Sequence, residues 1–297
     1  MIYIVIILLM RVVQHVFNKR SSNEITGNRM FLKFLTIRQL ISAIPALILV
    51  GLSAGGLAQL KADGLTLLLS LMMAVTLALS TFAGIMSMKS GTMVLSSLFS
   101  MAGLFVPCIA GVFLFDEKIS LLQVGGLAVF IFSAYLLIGC SRKLYSNFSV
   151  KTLLLLLLGM LANGTTMLTQ KLFAYYVPQG SAGVFNFYGF FFSAALSLVL
   201  YTVFSIKKDG LGEKDARISG KLLLAGVALS VAVFVISQCA TVASATIPSV
   251  ILFPVGDGGG MIICAVVSAL MYGEKLTKNA VIGLILGTLS LIIINLG

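Results

Sequence analysis

An acidic residue lies deep inside an apolar segment of this sequence. Asp257 stands in the run FPVGDGGG (residues 253–260), among one proline and four glycines. Carboxylates inside such segments are costly and mark functional sites by default, and a helix weakened by proline and glycine at membrane depth is tolerated where it lines a cavity. The pattern predicts a contact for an amine of a bound solute, or a carboxylate that takes up and releases a proton. The alternatives are an ion pair with Arg11 or Arg38, or a glycine face for helix packing.

Two further apolar segments each have a polar stripe at helical spacing. The stripe in the first segment consists of Arg11, Gln14, His15, Asn18 and Lys19. The matching stripe in the sixth segment consists of Asn163, Thr166, Gln170 and Lys171. Residues three and four apart share one helix face, and a polar face is expensive against lipid. We therefore expect the stripes to face each other and to line a wet, electropositive cavity. The alternative for Lys19 and Lys171 is that they extend to lipid headgroups at the helix ends.

Two more polar residues are candidates for contact with a solute. Arg38 lies about two turns inside the second segment, where it could bind an anionic group, pair with Asp257, or extend towards the headgroups. Asn186 lies in the seventh segment among several phenylalanines, a composition more typical of a packing or lipid-facing surface than of a cage for cations.

The composition indicates an integral membrane protein. The chain has 297 residues, 59% of them hydrophobic and 10% charged, with a mean hydropathy of +1.12, whereas soluble domains are about 25% charged. The net charge of +11 comes from lysines and arginines at segment ends, so headgroups are the expected partners rather than nucleic acid. His15 is the single histidine, and the four cysteines have no CxxC spacing. We therefore expect no metal site and no cofactor.

The apolar runs define ten candidate membrane-spanning helices, since about 20 apolar residues span a bilayer. They cover residues 2–17, 31–53, 64–86, 91–115, 119–140, 150–171, 181–206, 219–240, 245–272 and 278–296.

The chain contains a repeat. The turn FDEKIS around Glu117 recurs as YGEKLT around Glu274, 157 positions later (274 − 117), and Gly126 and Gly283 follow at the same spacing. Ser80 and Ser237 match at this offset, as do Gly103 and Gly260. The sequence therefore predicts an all-α polytopic membrane protein with ten transmembrane helices in two five-helix repeats, residues 1–140 and 150–297. Five helices per copy is an odd number, so the second copy enters the membrane inverted.

The acidic residues of the repeated turn have a structural interpretation. Glu117 and Glu274 each precede a helix start, where a carboxylate favours the helix dipole and can cap free amides. Ser120 and Thr277 fit the same capping role. Asp257 matches Ser100 in the other repeat, so an asymmetric site is expected.

Ten helices in two halves, each with the Glu-Lys turn before a glycine-containing last helix, resemble the drug/metabolite transporter superfamily, and most closely its EamA-like branch. The resemblance covers nearly the whole chain. It implies a polytopic secondary carrier, often an exporter of small metabolites, with both termini in the cytoplasm. The distribution of lysine and arginine between the predicted loops favours both termini outside.

We therefore expect a secondary transporter, an exporter or exchanger, that moves small metabolites across the cell membrane by alternating access between inverted repeats. An anion exchanger of the nucleotide-sugar or sugar-phosphate type and a lipid-carrier flippase are the alternatives within transport. A membrane-embedded enzyme is disfavoured because the sequence has no paired aspartates, no HExxH and no Gly-x-Ser-x-Gly. A channel subunit is disfavoured by the asymmetric charge. The expected partners are a metabolite and the lipid bilayer, and the protein is expected to be a monomer or homodimer.

Overall fold

The computed structural model describes residues 2–25, 27–53, 55–89, 99, 102–138, 150–206, 218–260, 262–263 and 278–296. These residues form helices and short connections, with no β-strand among them. In the first half the helices are α1 (Ile2–Glu24), α2 (Asn28–Leu52), α3 (Gly64–Lys89), α4 (Phe105–Phe115) and α5 (Leu121–Ile138). In the second half they are α6 (Val150–Tyr176), α7 (Ala182–Ile206), α8 (Gly220–Ala243), α9 (Ser249–Phe253) and α10 (Lys278–Leu296). A 3-10 turn covers Gly56–Leu60, and a π turn follows α9 at Pro254–Gly258.

Five of the described helices are long and apolar enough to cross a membrane. These spans lie in α2, α3, α6, α7 and α8. Large apolar side chains are exposed on the outside of the bundle: Leu154 is 61% and Leu224 is 69% exposed. An apolar lateral surface of this kind is expected for a helical membrane protein, because lipid rather than water covers it.

The helix ends follow local sequence signals. The Ser120 hydroxyl accepts from the Gln123 amide (3.1 Å), and the Gln123 side chain accepts from the Ser120 amide (3.0 Å), which forms a capping box at the start of α5. Asp63 precedes α3 and accepts from the backbone and the hydroxyl of Thr66. The Thr66 hydroxyl lowers the pKa of Asp63, which is exposed outside the spans. The capping expected of Ser120 is thus present, whereas Thr277 and Glu274 lie outside the described residues.

The bundle is held by contacts between the halves. α2 packs along α7, α5 along α10, α1 along α8 and α3 along α6. The largest buried cluster among the described residues lies where α1, α4, α5, α6, α8 and α9 meet, and includes Ile7, Leu104, Phe130, Met167 and Phe253. The core of the molecule is therefore an interface between its two halves.

A glycine permits the close approach of α4 and α6. A Cβ built on Gly164 would collide with the Gly103 carbonyl oxygen and would lie 2.7 Å from a methyl group of Val106. We expect Gly164→Ala to lower the free energy of unfolding by about 1–3 kcal/mol, because a backbone oxygen cannot move aside as a side chain can. Thermal or denaturant unfolding of the purified protein measures this.

Gly125→Ala is the matched control, since a Cβ there meets nothing within 4 Å. Alanine has the higher helix propensity, so this variant should be neutral or stabilised by up to about 1 kcal/mol. Equal stability of the two variants would show that α4 and α6 are farther apart than described.

Candidate functional site

A cavity of about 210 Å³ lies between the two halves of the bundle. This is far more than the roughly 10–15 Å³ that one water needs. Its wall is formed by α1, α2, α3, α6, α7, α8, α9 and the π turn. The polar residues of the wall are Arg11, Gln14, His15, Asn18, Ser21, Arg38, Ser80, Thr81, Asn163, Thr166, Gln170, Ser237 and Asp257. The wall thus combines polar groups with apolar surface, as in sites for small molecules.

The π turn places Asp257 in this wall. The turn begins at Pro254, which has no backbone donor, and continues through Gly256 and Gly258. The glycines also form a packing face, because a Cβ on Gly260 would lie 2.8 Å from Cβ of Arg11. The packing alternative is therefore present in the structure: the glycine face brings the turn against α1, where the carboxylate meets the polar stripe of α1.

Asp257 forms an ion pair with Arg11. The Arg11 Nη2 group contacts the Asp257 carboxylate, and the Arg11 Nη1 group donates to the Gln14 side chain (2.8 Å). The two charged side chains retain 19% and 11% of their exposure. Of the two pairings considered for Asp257, the structure has the one with Arg11. The pair joins the first half of the chain to the second within the cavity wall.

A chain of hydrogen bonds runs from the cavity wall to the residues behind it. The Gln170 amide donates to the Ser237 hydroxyl (3.0 Å), which donates to the Asn186 side-chain oxygen (2.8 Å), and the Asn186 amide donates to Gln238 (2.8 Å). Asn186 is fully buried and outside the cavity lining. Its predicted contact with a solute is therefore corrected to a supporting role: it fixes Ser237, which does line the cavity.

Lys171 and Glu117 form a second ion pair between the halves, outside the cavity lining. Lys171 Nζ lies 2.7 Å from Glu117 Oε1 and donates to the Ser244 carbonyl (3.0 Å). The other Glu117 oxygen accepts from the Ser249 amide at the start of α9 (2.9 Å). We call these three residues, Glu117, Lys171 and Ser249, the latch.

The latch corrects two expectations. Lys171 does not line the cavity, and its side chain is buried rather than extended to the headgroups. The carboxylate and the carbonyls around it stabilise the buried ammonium. Glu117 does not cap its own following helix, since the Ser120–Gln123 capping box does so. Instead α4 ends at Phe115, its C-cap residue Asp116 turns the chain with a left-handed backbone (φ 52°), and the Glu117 side chain reaches α9.

Arg38 is buried in the cavity wall, 4% exposed. Its Nη2 group donates to the Thr81 hydroxyl (3.2 Å). Its backbone carbonyl accepts from the hydroxyls of Ser42 (3.1 Å) and Ser230 (2.8 Å). The predicted pairing with Asp257 is not formed, and burial excludes the headgroup alternative.

The structure thus brings together most of the predicted site residues. Those that line the cavity are Asp257, Arg11, Gln14, His15, Asn18, Arg38, Asn163 and Gln170. Asn186 and Lys171 lie elsewhere, as described, and the side chain of Lys19 lies outside the described residues, as does Ser100. No group of three or more metal-ligating side chains occurs in the described part of the chain. Ser80 and Ser237 line the cavity and were missed, although they match each other in the repeat.

Another protein of known structure has the same fold. A protein of known crystal structure that is 15% identical superposes with a TM-score of 0.78, over 99% of this chain and 96% of that chain. At this identity the likeness shows the fold alone. No protein-family model and no curated protein matches the chain. Fold and site together define an all-helical membrane protein with a polar cavity between its halves.

Proposed function

We propose that this chain is a secondary active transporter of small metabolites in the cell membrane, an exporter or exchanger of the drug/metabolite transporter type, EamA-like branch. The observation on which this depends is the polar cavity at the interface of the two halves, with an ion pair in its wall that joins α1 to the π turn. Membrane carriers bind their substrates between repeats and near broken helices.

The pattern of helix contacts supports two related five-helix halves. When each helix of one half is exchanged for its counterpart in the other half (α1 for α6, α2 for α7, α3 for α8 and so on), one contact becomes another. The contact of α1 with α8 corresponds to that of α6 with α3, and the contact of α2 with α8 to that of α7 with α3. α4 on α6 corresponds to the π turn after α9 on α1. The pairs α2 on α7 and α5 on α10 map onto themselves. Such an exchange pattern is expected of a duplicated unit, and an inverted arrangement of ten spans would place the cavity near the midplane.

The latch supports an alternating mechanism. It joins the end of α4 to the start of α9 and to α6, so it closes contacts between the halves at one end of the bundle. Interfaces of this kind can have two discrete packings. Opening the cavity at that end would require the Glu117–Lys171 pair to separate.

Counter-transport is the test of this proposal. The purified protein is reconstituted into liposomes, and the liposomes are loaded with a solute that shifts the melting temperature of the protein. Loaded liposomes are expected to take up labelled solute from outside faster than unloaded ones. Uptake should saturate, because one cavity alternates between the two sides. Uptake that rises linearly with concentration and is unaffected by internal solute would indicate a channel. No flux of any solute that binds would contradict a transporter.

A further inference from the structure

The cavity wall contains one described cation that no described acid neutralises. Arg11 is paired with Asp257, and Lys171 lies outside the cavity, paired with Glu117. Arg38 is 4% exposed, and among the described residues its guanidinium has one hydrogen-bond partner, Thr81, while Nε has none. A buried charge without a counter-charge is unfavourable for stability, so such a residue in a membrane protein marks a functional site by default.

The surroundings hold this guanidinium in place. The hydroxyls of Ser42 and Ser230 both donate to the Arg38 carbonyl, so the turn of α2 that bears Arg38 is fixed against α8. Thr81 on α3 holds one end of the guanidinium, and the Thr81 hydroxyl itself donates to the Leu77 carbonyl (2.8 Å). A planar guanidinium fixed in this way has donors left for a carboxylate, whose two oxygens match its fork.

The cavity that contains Arg38 also has apolar side chains in its wall. Phe34, Met73, Leu77, Phe190 and Val233 line the same cavity. The site therefore presents one positive charge beside a hydrophobic surface, within a volume of about 210 Å³. This combination suits a small molecule with one acidic group and an apolar body.

We propose that the cavity binds a small organic monoanion, with its carboxylate on Arg38 and its apolar body against Phe34 and Phe190. This inference names the substrate class of the proposed transporter and rests on that function only for its biological meaning. A single uncompensated positive charge matches a single negative charge. A phosphate ester with two negative charges would need a second cation, and among the described residues Arg11 and Lys171 are already neutralised by Asp257 and Glu117.

A paired panel of solutes tests this. Purified full-length protein in detergent is titrated with carboxylates of two to eight carbons, with the primary amide of each, and with phosphate monoesters of the same chain lengths. Melting temperature and calorimetry give the affinities. We expect at least one carboxylate to bind and its amide to bind 10- to 100-fold more weakly, the usual effect of losing charge-assisted hydrogen bonds.

Three variants localise the binding. Arg38→Gln should weaken carboxylate binding 10- to 100-fold, and Arg38→Lys should weaken it less, since it keeps the charge but not the fork. Lys33→Gln is the matched control, because it removes a positive charge from the same helix outside the cavity lining. Without ligand, Arg38→Gln should melt at a higher temperature than the parent protein because a buried uncompensated charge is removed.

The inference is overturned if amines, neutral solutes or phosphate esters bind in preference to carboxylates, or if no carboxylate in the panel binds. It is also overturned if the Arg38→Gln variant binds carboxylates as well as the parent protein does. Flux measured in liposomes distinguishes failure of the anion site from failure of the proposed transport function. Transport of a cationic solute would retain the transporter and reject the anion site, whereas carboxylate binding without flux would retain the site and reject the transporter.

Discussion

Asp257→Asn is expected to abolish gradient-driven uptake in proteoliposomes while solute exchange survives. The carboxylate lies in the cavity wall on a π turn and pairs with Arg11 of the other half. If a proton displaces Arg11 from Asp257 during the transport cycle, the amide of the variant cannot reproduce this because it does not take up a proton. Exchange needs no net coupling and should continue.

The single variant also has a structural cost that must be separated from coupling. Removing one partner of a buried pair leaves the other charge uncompensated, which costs about 3–5 kcal/mol. The double variant Arg11→Gln with Asp257→Asn removes both charges, so it should regain most of the lost stability. If Asp257 couples transport, the double variant folds and still shows no gradient-driven uptake.

Recovery of driven uptake in the double variant would mean that the pair is only structural. Unchanged uptake by Asp257→Asn alone would reject Asp257 as a coupling group. Asp63→Asn, an exposed carboxylate outside the spans, controls for the loss of one negative charge and should leave uptake unchanged.

The positions of the described helices, five of them long enough to span a membrane, could be predicted from the sequence because lipid selects for long apolar runs, whatever their tertiary contacts. Their ends were predicted less well. α1 continues to Glu24, beyond the expected end at residue 17, because Ser21 is buried and Ile25 packs in the core. The ninth segment was expected as one span over 245–272. Its described part is helical from Ser249, with a π turn at Pro254–Gly258 and helical residues after that turn, and residues 264–277 lie outside the described part. Pro254 and the glycines had indicated weakness there, but not its geometry.

The candidate site could be predicted as a set of residues but not as a set of contacts. Helical periodicity places Arg11, Gln14 and His15 on one face, and a polar face turns inward, so the cavity follows from the sequence. Which acid neutralises which cation depends on how distant helices approach each other. The expected electropositive cavity is therefore less charged than predicted, since Arg11 is paired with Asp257.

The second large effect is expected at the latch, where Glu117→Gln should open the cavity at one end. Breaking a buried pair costs about 3–5 kcal/mol, and each 1.4 kcal/mol of that cost changes an equilibrium about tenfold. Cys108 reports the opening, because it is 3% exposed and its Sγ donates to the Ser249 carbonyl within the latch (3.7 Å). In a protein that retains Cys108 as its single cysteine, we expect maleimide labelling to be at least tenfold faster in the variant.

A second variant distinguishes opening from a direct effect of the carboxylate on the thiol. Glu117→Gln removes a negative charge near Cys108, which by itself would favour the reactive thiolate. Lys171→Gln removes the positive partner and keeps the carboxylate, so a purely electrostatic effect would slow labelling. Opening of the latch predicts faster labelling in both variants, because either change breaks the same pair. Asp116→Asn, which removes the exposed neighbouring carboxylate, should label at the parent rate. Opposite changes in the two latch variants would show that the pair does not hold the halves together.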